Sequence, residues 1–203
     1  NYFYVGTKNS SGVTKYDKAG LTGGSKFGIV VGGALTDAAF RTAFGKNNPQ
    51  AWTPTTAIVA TTAGPIQTEL AGKSAIQMDR TEDGAWDPSN PNDYYFVTTG
   101  NSQSAAQLAK GGKGGLWKMS FTDRTNPALG GTLTLLLDGT EGAGPNTAMY
   151  MPDNLTIDAA GHILIQEDPG NTPYVARIWA YDIATKQLAP IATFDNRFVS
   201  GDP

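Results

Sequence analysis

Cysteine is absent from the 203 residues, and histidine occurs once, at position 162. Without thiols the chain can form no disulfide of its own, carry no thiolate nucleophile and build no zinc-thiolate centre. Charge is also scarce, at 16% Asp, Glu, Lys and Arg with a net charge of −3. No dense run of Lys or Arg occurs, so the basic footprint that nucleic acid or an anionic membrane surface would require is missing. No stretch approaches the roughly 20 apolar residues of a membrane-spanning helix. No signal peptide precedes Asn1, whose segment starts as a strand, and Phe198 to Pro203 stops without completing an element. A piece of a longer chain is therefore expected.

What is present is turn chemistry. The chain has 25 Gly and 12 Pro, with many Thr and Asn and 39% apolar residues. That composition suits a turn-rich all-β globular protein better than a helical one. Low charge with abundant Thr, Asn and Gly leans towards a secreted or periplasmic location.

The stretch from Met151 to Phe194 reads as one complete propeller blade. Four short apolar runs, 155–157, 162–166, 177–183 and 188–194, are split by Asp-Ala-Ala-Gly, Glu-Asp-Pro-Gly-Asn-Thr-Pro and Ala-Thr-Lys-Gln. Gly161 and Gly170 can take positive φ, Pro169 and Pro173 cannot continue a ladder, and Asp158 and Asn171 can bond their own backbone. A four-stranded antiparallel meander follows. The same grammar occurs earlier, in Glu82-Asp83-Gly-Ala-Trp86-Asp87-Pro88 and the runs 94–99, 115–122 and 132–138. Laying Glu82-Asp83 over Asp153-Asn154 also lays Asp87 over Asp158, each 71 positions apart (153 − 82 and 158 − 87), and matches Trp117 with Trp179. Such a repeat is the signature of stacked blades.

Earlier in the chain, residues 1–7 and 25–32 alternate like half-buried strands. Thr36 to Gly45 has an N-cap threonine, apolar Phe40 and Phe44 and a terminating glycine, which predicts a short helix. Residues 46–55 are expected as a loop, 57–61 as a short strand, and Pro65 to Gly72 as a helical turn opened by proline. The predicted fold is all-β: a partial β-propeller over residues 1–203, about two and a half four-stranded blades with short helical insertions. Blade remnants would occupy 1–73, one blade 74–140 and another 149–195. A propeller usually has four to eight blades, so the remainder or a partner chain is expected to cover the exposed sheets.

Function is sought where a propeller gathers its strand ends. Asp79, Arg80, Glu82 and Asp83 precede one blade's first strand, Asp153 and Asn154 precede the next, and Glu167 and Asp168 follow its second strand. The carboxylates and the amide among these are oxygen donors, which favour Ca²⁺ or Mg²⁺ over zinc or copper. Asx turns are the alternative use of the same residues. Arg80 lies two positions before Glu82, so in an extended segment both side chains point the same way. A guanidinium there could clamp a phosphoryl oxygen. A plain Arg-carboxylate salt bridge at a blade junction is the other reading. His162 starts a strand after Gly161 and is expected as an exposed turn residue, not a base. The recurring Trp86, Trp117, Trp179, Tyr94 and Tyr181 are expected in packing. Gly111-Gly-Lys-Gly-Gly115 lacks the Ser/Thr and following helix of a phosphate loop. Asn9-Ser-Ser11 and Asn154-Leu-Thr156 are formal glycosylation sequons.

The segments Met78-Asp-Arg-Thr-Glu-Asp-Gly-Ala-Trp-Asp-Pro88, Tyr95-Phe-Val-Thr-Thr99 and Pro152-Asp-Asn-Leu-Thr-Ile-Asp158, with Ile165-Gln-Glu-Asp-Pro-Gly170, resemble the bacterial PhoX-like family. The resemblance implies a secreted or periplasmic β-propeller, with members that are alkaline phosphomonoesterases using Ca²⁺ and iron. It implies that Arg80 and Glu82 stand at the metal and phosphate site, with Asp153, Asn154, Glu167 and Asp168 in a second matching motif as further metal-site residues; Asp83 joins the metal candidates from the carboxylate cluster itself. A small phosphate ester is the implied substrate. Those enzymes use an iron-ligating Cys, and this chain has none, so Fe³⁺ is expected only if a Cys comes from outside it. Two further readings stand beside the phosphatase: a Ca²⁺-dependent lactonase or esterase, which would not need Arg80, and a non-catalytic, metal-stabilised propeller.

Overall fold

A computed structural model describes residues 4–6, 11–18, 24–100, 114–139, 149–168 and 175–195. Among them eleven strands run in chain order: β1 (Tyr4–Gly6), β2 (Lys26–Val31), β3 (Gln50–Pro54), β4 (Thr81–Trp86), β5 (Asp93–Thr98), β6 (Gly115–Phe121), β7 (Gly131–Asp138), β8 (Pro152–Ile157), β9 (His162–Glu167), β10 (Arg177–Asp182) and β11 (Leu188–Thr193). Three α-helices punctuate them, α1 (Lys15–Lys18), α2 (Asp37–Phe44) and α3 (Ala63–Gly72). The strands form a seven-stranded sheet in the order β1-β2-β3-β7-β6-β5-β4 and a four-stranded sheet in the order β11-β10-β9-β8. Two compact units result, residues 1–78 with 120–134, and residues 79–119 with 135–203.

In the first unit, α2 forms where its caps dictate. The Thr36 hydroxyl accepts the Ala39 N–H at 3.1 Å, Gly45 ends the helix at φ +67, and Phe40 is fully buried. Asp37 and Arg41 pair one turn apart on the same helix. Helix α3 starts at Ala63, two residues ahead of the proline expected to open it.

Residues 57–61 form no strand, and Glu69 supplies the reason. Its carboxylate accepts the Val59 N–H at 3.1 Å and the Ala60 N–H at 2.9 Å, so backbone donors that a ladder would use are taken by a side chain. The Lys73 ammonium beside it, then the Ala60 and Val59 N–H groups, hold the Glu69 carboxyl down at about 2. The strand instead lies at Gln50–Pro54, in the segment expected as a loop. It fills the gap between β2 and β7, with Ile29 opposite Pro54 and Trp52 opposite Gly131. Trp52 decides this: it is buried and meets Phe121 edge-on at 5.4 Å. One aromatic in a polar run gives no periodic signal, yet it anchors the strand.

In the second unit the alternation is regular. Ile163, Ile165 and Glu167 of β9 and Arg177, Trp179 and Tyr181 of β10 point to the buried face. The β8–β9 turn is built as its residues predict: Asp158 accepts the Ala160 and His162 N–H groups at 2.9 Å, and Gly161 takes φ +90. Pro169, Gly170, Asn171 and Pro173, assigned to the next turn, lie outside the described residues. Tyr95, Val97, Leu116, Leu136 and Met149 pack with Leu155, Ile163, Ile165, Trp179 and Tyr181 in one core.

At Gly131 the backbone of a neighbouring strand leaves no room for a side chain: a Cβ would sit 1.9 Å from the Ser120 carbonyl oxygen. We expect Gly131→Ala to destabilise the protein by about 3 kcal/mol, the upper end for overpacking. Gly72 lies in α3 with open space around it, so Gly72→Ala should stabilise by about 0.5–1 kcal/mol. Urea unfolding midpoints check both, and equal midpoints for the two variants would refute the packing argument.

Candidate functional site

The two first strands of the second unit carry the same irregularity. In the β4–β5 ladder Thr81 faces Thr98 and Gly84 faces Phe96, so Glu82 and Asp83 share one partner position, Val97. In the β8–β9 ladder Pro152 faces Glu167 and Asn154 faces Gln166, which makes Asp153 the extra residue. Both are β-bulges, and they fall at corresponding points of the 71-residue repeat. A bulge interrupts pairing and re-aims side chains, which is why bulges gather near functional sites.

A left-handed residue precedes each bulge, Arg80 at φ +58 and Met151 at φ +50, again 71 positions apart (151 − 80). Such a conformation in a non-glycine residue costs on the order of 1 kcal/mol and persists only where its surroundings enforce it. Here a backbone hydrogen bond does so in each case. The Thr99 N–H donates to the Arg80 carbonyl at 2.9 Å, and the Asp168 N–H to the Met151 carbonyl at 2.8 Å.

The side chains divide between solvent and scaffold. Arg80 Nε lies 3.6 Å from Glu82 Oε1, with the two side chains 43% and 30% exposed. A pair that open to water adds little to stability; it leaves a guanidinium and a carboxylate presented side by side. Asp83 is exposed but engaged by backbone donors. One oxygen accepts the Gly84 N–H at 2.7 Å and the other the Leu155 N–H at 3.2 Å, which ties β4 to β8. Thr99 adds a second tie, its hydroxyl donating to the Pro152 carbonyl at 3.0 Å. Asn154 donates to Asp153 at 3.0 Å near the surface.

Glu167 departs most from expectation. It is 3% exposed, and its two oxygens accept the Tyr150 N–H at 2.7 Å, the Trp179 indole N–H at 2.8 Å and the Arg177 N–H at 2.9 Å. A carboxylate so engaged acts as a bracket of the core. Burial pushes its carboxyl above the ordinary value, and the Trp179, Tyr150 and Arg177 donors hold part of that rise back. The corresponding position in β5 is Thr98, whose hydroxyl accepts the Trp117 indole N–H at 3.0 Å. The matched tryptophans thus pack as expected and also donate, a role the sequence signalled by placing Trp117 and Trp179 at equivalent points. Asp168 is half-buried just past β9.

Among the described residues no group of three or more His, Cys, Asp or Glu side chains could hold a metal ion. Among the described residues, those expected at a metal and phosphate site meet in pairs, Arg80 with Glu82 and Asp153 with Asn154. Glu82 and Asp153 keep carboxylates towards solvent, while Asp83 and Glu167 are committed to backbone donors. Among the described residues no helix is long and apolar enough to cross a membrane. Asn154 of the second sequon is exposed at the bulge, whereas Asn9 and residues 111–113 of the glycine-rich segment lie outside the described residues.

Four-stranded antiparallel meanders repeated with a matching bulge define an all-β fold of the propeller type. The family model described as alkaline phosphatase PhoX matches residues 14–187, and the chain belongs to that family. The solved structure of Pseudomonas fluorescens PhoX in complex with vanadate, a transition state analogue, is similar with a TM-score of 0.55 and 16% identity, over 90% of this chain. At that identity the likeness is one of fold. This chain covers 38% of the length of that one. No curated protein matches.

His162 is the single imidazole of the chain and sits in the β8–β9 turn with Nδ1 2.8 Å from Asp158 and Nε2 3.9 Å from Asp182. The Asp158 hydrogen bond and charge, with a smaller part from Asp182, raise its pKa above the ordinary 6.5. Its proton NMR titration should have a midpoint above 6.5, and Asp158→Asn should bring that midpoint back most of the way. An unchanged midpoint would dissolve the pair.

Glu167 gives a stability test. Its folded pKa lies above the unfolded value of 4.5, so its protonated form favours the fold; that contribution is full below 4.5 and is lost as pH rises through the folded value. Glu167→Gln sets an amide N–H₂ against a donor and should cost about 1–3 kcal/mol at low pH. The gap between wild type and variant should shrink as pH rises from 4.5. Denaturant titrations that show a constant or widening gap would contradict this.

Proposed function

We propose that the chain forms part of a PhoX-type phosphomonoesterase, in which Arg80 and Glu82 present the anion-recognising edge. The observation that carries the proposal is the solvent-facing Arg80–Glu82 pair on a bulge, in a chain whose residues 14–187 match the PhoX family. The substrate is a small phosphate monoester. Arg80 would donate two N–H groups to phosphoryl oxygens and offset the charge that develops as the ester P–O bond breaks and a water oxygen bonds to phosphorus. Glu82 beside it orients the guanidinium. Calcium dependence and an extracytoplasmic location belong to the same proposal, supported by the family and by the low-charge composition.

The assay is p-nitrophenyl phosphate turnover by the full-length protein. Arg80→Ala should lower kcat/KM by about 10²–10³-fold, with Arg80→Lys recovering part of it. Arg80→Gly separates the side chain from the backbone. Glycine accepts the positive φ of this position, so that variant should be as stable as the parent or slightly more so, and as inactive as Arg80→Ala. A chelator should abolish turnover and added Ca²⁺ should restore it. Undiminished turnover in Arg80→Ala would defeat the assignment of the anion site, and turnover indifferent to chelator would defeat the calcium dependence.

A further inference from the structure

Two hydrogen bonds fasten the first meander to the second, and they land on either side of the β8 bulge. The Thr99 hydroxyl donates to the Pro152 carbonyl at 3.0 Å, immediately before the surplus residue Asp153. The Leu155 N–H, immediately after Asn154, donates to Asp83 at 3.2 Å. Thr99 is the more deeply committed partner. It is 0% exposed, and its own N–H is the donor that meets the Arg80 carbonyl at 2.9 Å. One residue thus grips the left-handed backbone of Arg80 with its main chain and the second meander with its side chain. The space around it is closed: at Gly114 a Cβ would come within 2.9 Å of the Thr99 carbonyl oxygen and 2.8 Å of Pro152 Cδ.

We propose that Thr99 is a positioning residue for phosphate ester hydrolysis, its hydroxyl holding the Arg80–Glu82 edge in place against the β8 bulge. Buried as it is, Thr99 touches no substrate and acts through Arg80. The Arg80 backbone stands at φ +58, a conformation that a non-glycine residue keeps only while its surroundings enforce it. The enforcing bond comes from the Thr99 N–H, so the guanidinium is held no more firmly than Thr99 itself. Packing alone would accept valine at this position; the hydroxyl serves the Pro152 carbonyl. Its removal takes a donor from a buried acceptor, which then draws the surrounding backbone towards another partner. A displacement of about 1 Å at a group that orients substrate is enough to cost about 10²-fold in rate. The assignment rests on the reading of Arg80 as the anion-recognising residue.

Thr99→Val, Thr99→Ser, Arg80→Ala and the double variant Arg80→Ala/Thr99→Val are compared in the full-length protein, with p-nitrophenyl phosphate as substrate and inorganic phosphate as competitive inhibitor. The inhibition constant is the decisive readout, because it does not depend on the fraction of protein that is folded. Thr99→Val should raise that constant and lower kcat/KM by about 10-fold to 10²-fold. Thr99→Ser keeps the hydroxyl and should recover most of the loss. In the double variant Thr99→Val should add nothing to Arg80→Ala, because both act on one contact. An unchanged inhibition constant in Thr99→Val beside a raised one in Arg80→Ala would overturn the positioning role and leave the anion site standing, as would losses that multiply in the double variant. Unchanged phosphate binding and turnover in Arg80→Ala would instead remove the anion site, and the role of Thr99 with it. If Thr99→Val does not fold, amide hydrogen exchange of the unsubstituted protein decides. Saturating inorganic phosphate should slow exchange at Thr99 and Leu155 and leave the β10–β11 hairpin as it was; exchange indifferent to phosphate at those two amides would sink the assignment.

Discussion

A carboxylate enclosed by the core of the second unit governs the geometry around it. Glu167 stands where water does not reach, and an unpaired carboxylate in such a place would cost several kcal/mol. Three N–H donors, from Tyr150, Arg177 and Trp179, meet it instead. Those donors come from the approach to β8 and from β10, so one side chain of β9 fixes the spacing of three segments. The equivalent position in the first meander uses a lighter version of the same device, with the Thr98 hydroxyl under the Trp117 indole. Tryptophan suits the role because its ring fills the sheet face while its single N–H demands one buried acceptor.

These buried bonds reach the surface through the next residue along. With Thr98 and Glu167 held, the N–H groups of Thr99 and Asp168 meet the carbonyls of Arg80 and Met151 and hold both in the left-handed region. Each first strand then enters its ladder one residue out of step, and the surplus is absorbed as a bulge. Backbone geometry is shared by the two meanders; chemistry is not. One left-handed position carries a guanidinium beside a carboxylate, and the other carries a buried thioether beside Asp153. Only the first pairs a guanidinium with a carboxylate, which is why we propose a single anion-recognising edge, at Arg80 and Glu82.

The carboxylates that looked alike in a row of letters hold three different posts. Glu82 faces solvent beside Arg80, Asp83 joins two strands through backbone N–H groups, and Glu167 holds the core together. Two of the expected metal ligands thus spend their oxygens on N–H donors. Beneath the repetition lies a repeated backbone irregularity, at which an acidic or amide residue meets a backbone N–H.

The sequence by itself determined the class of fold, the course of β9 to β11 and helix α2, because period-two alternation, Gly161, Asp158 and the Thr36 to Gly45 caps act through neighbours in the chain. The 71-residue spacing also exposed the repeat. Arg80 and Glu82 do lie side by side, but through a left-handed residue and a bulge and not through the extended backbone the sequence suggested. Tertiary structure decided what no local signal carries. Trp52 turned an expected loop into β3 by finding Phe121 and the gap between two strands, and Glu69 kept residues 57–61 from pairing by taking their donors. The burial of Glu167 was likewise invisible, because whether a carboxylate faces solvent or three N–H groups is set by strands brought together from separate parts of the chain.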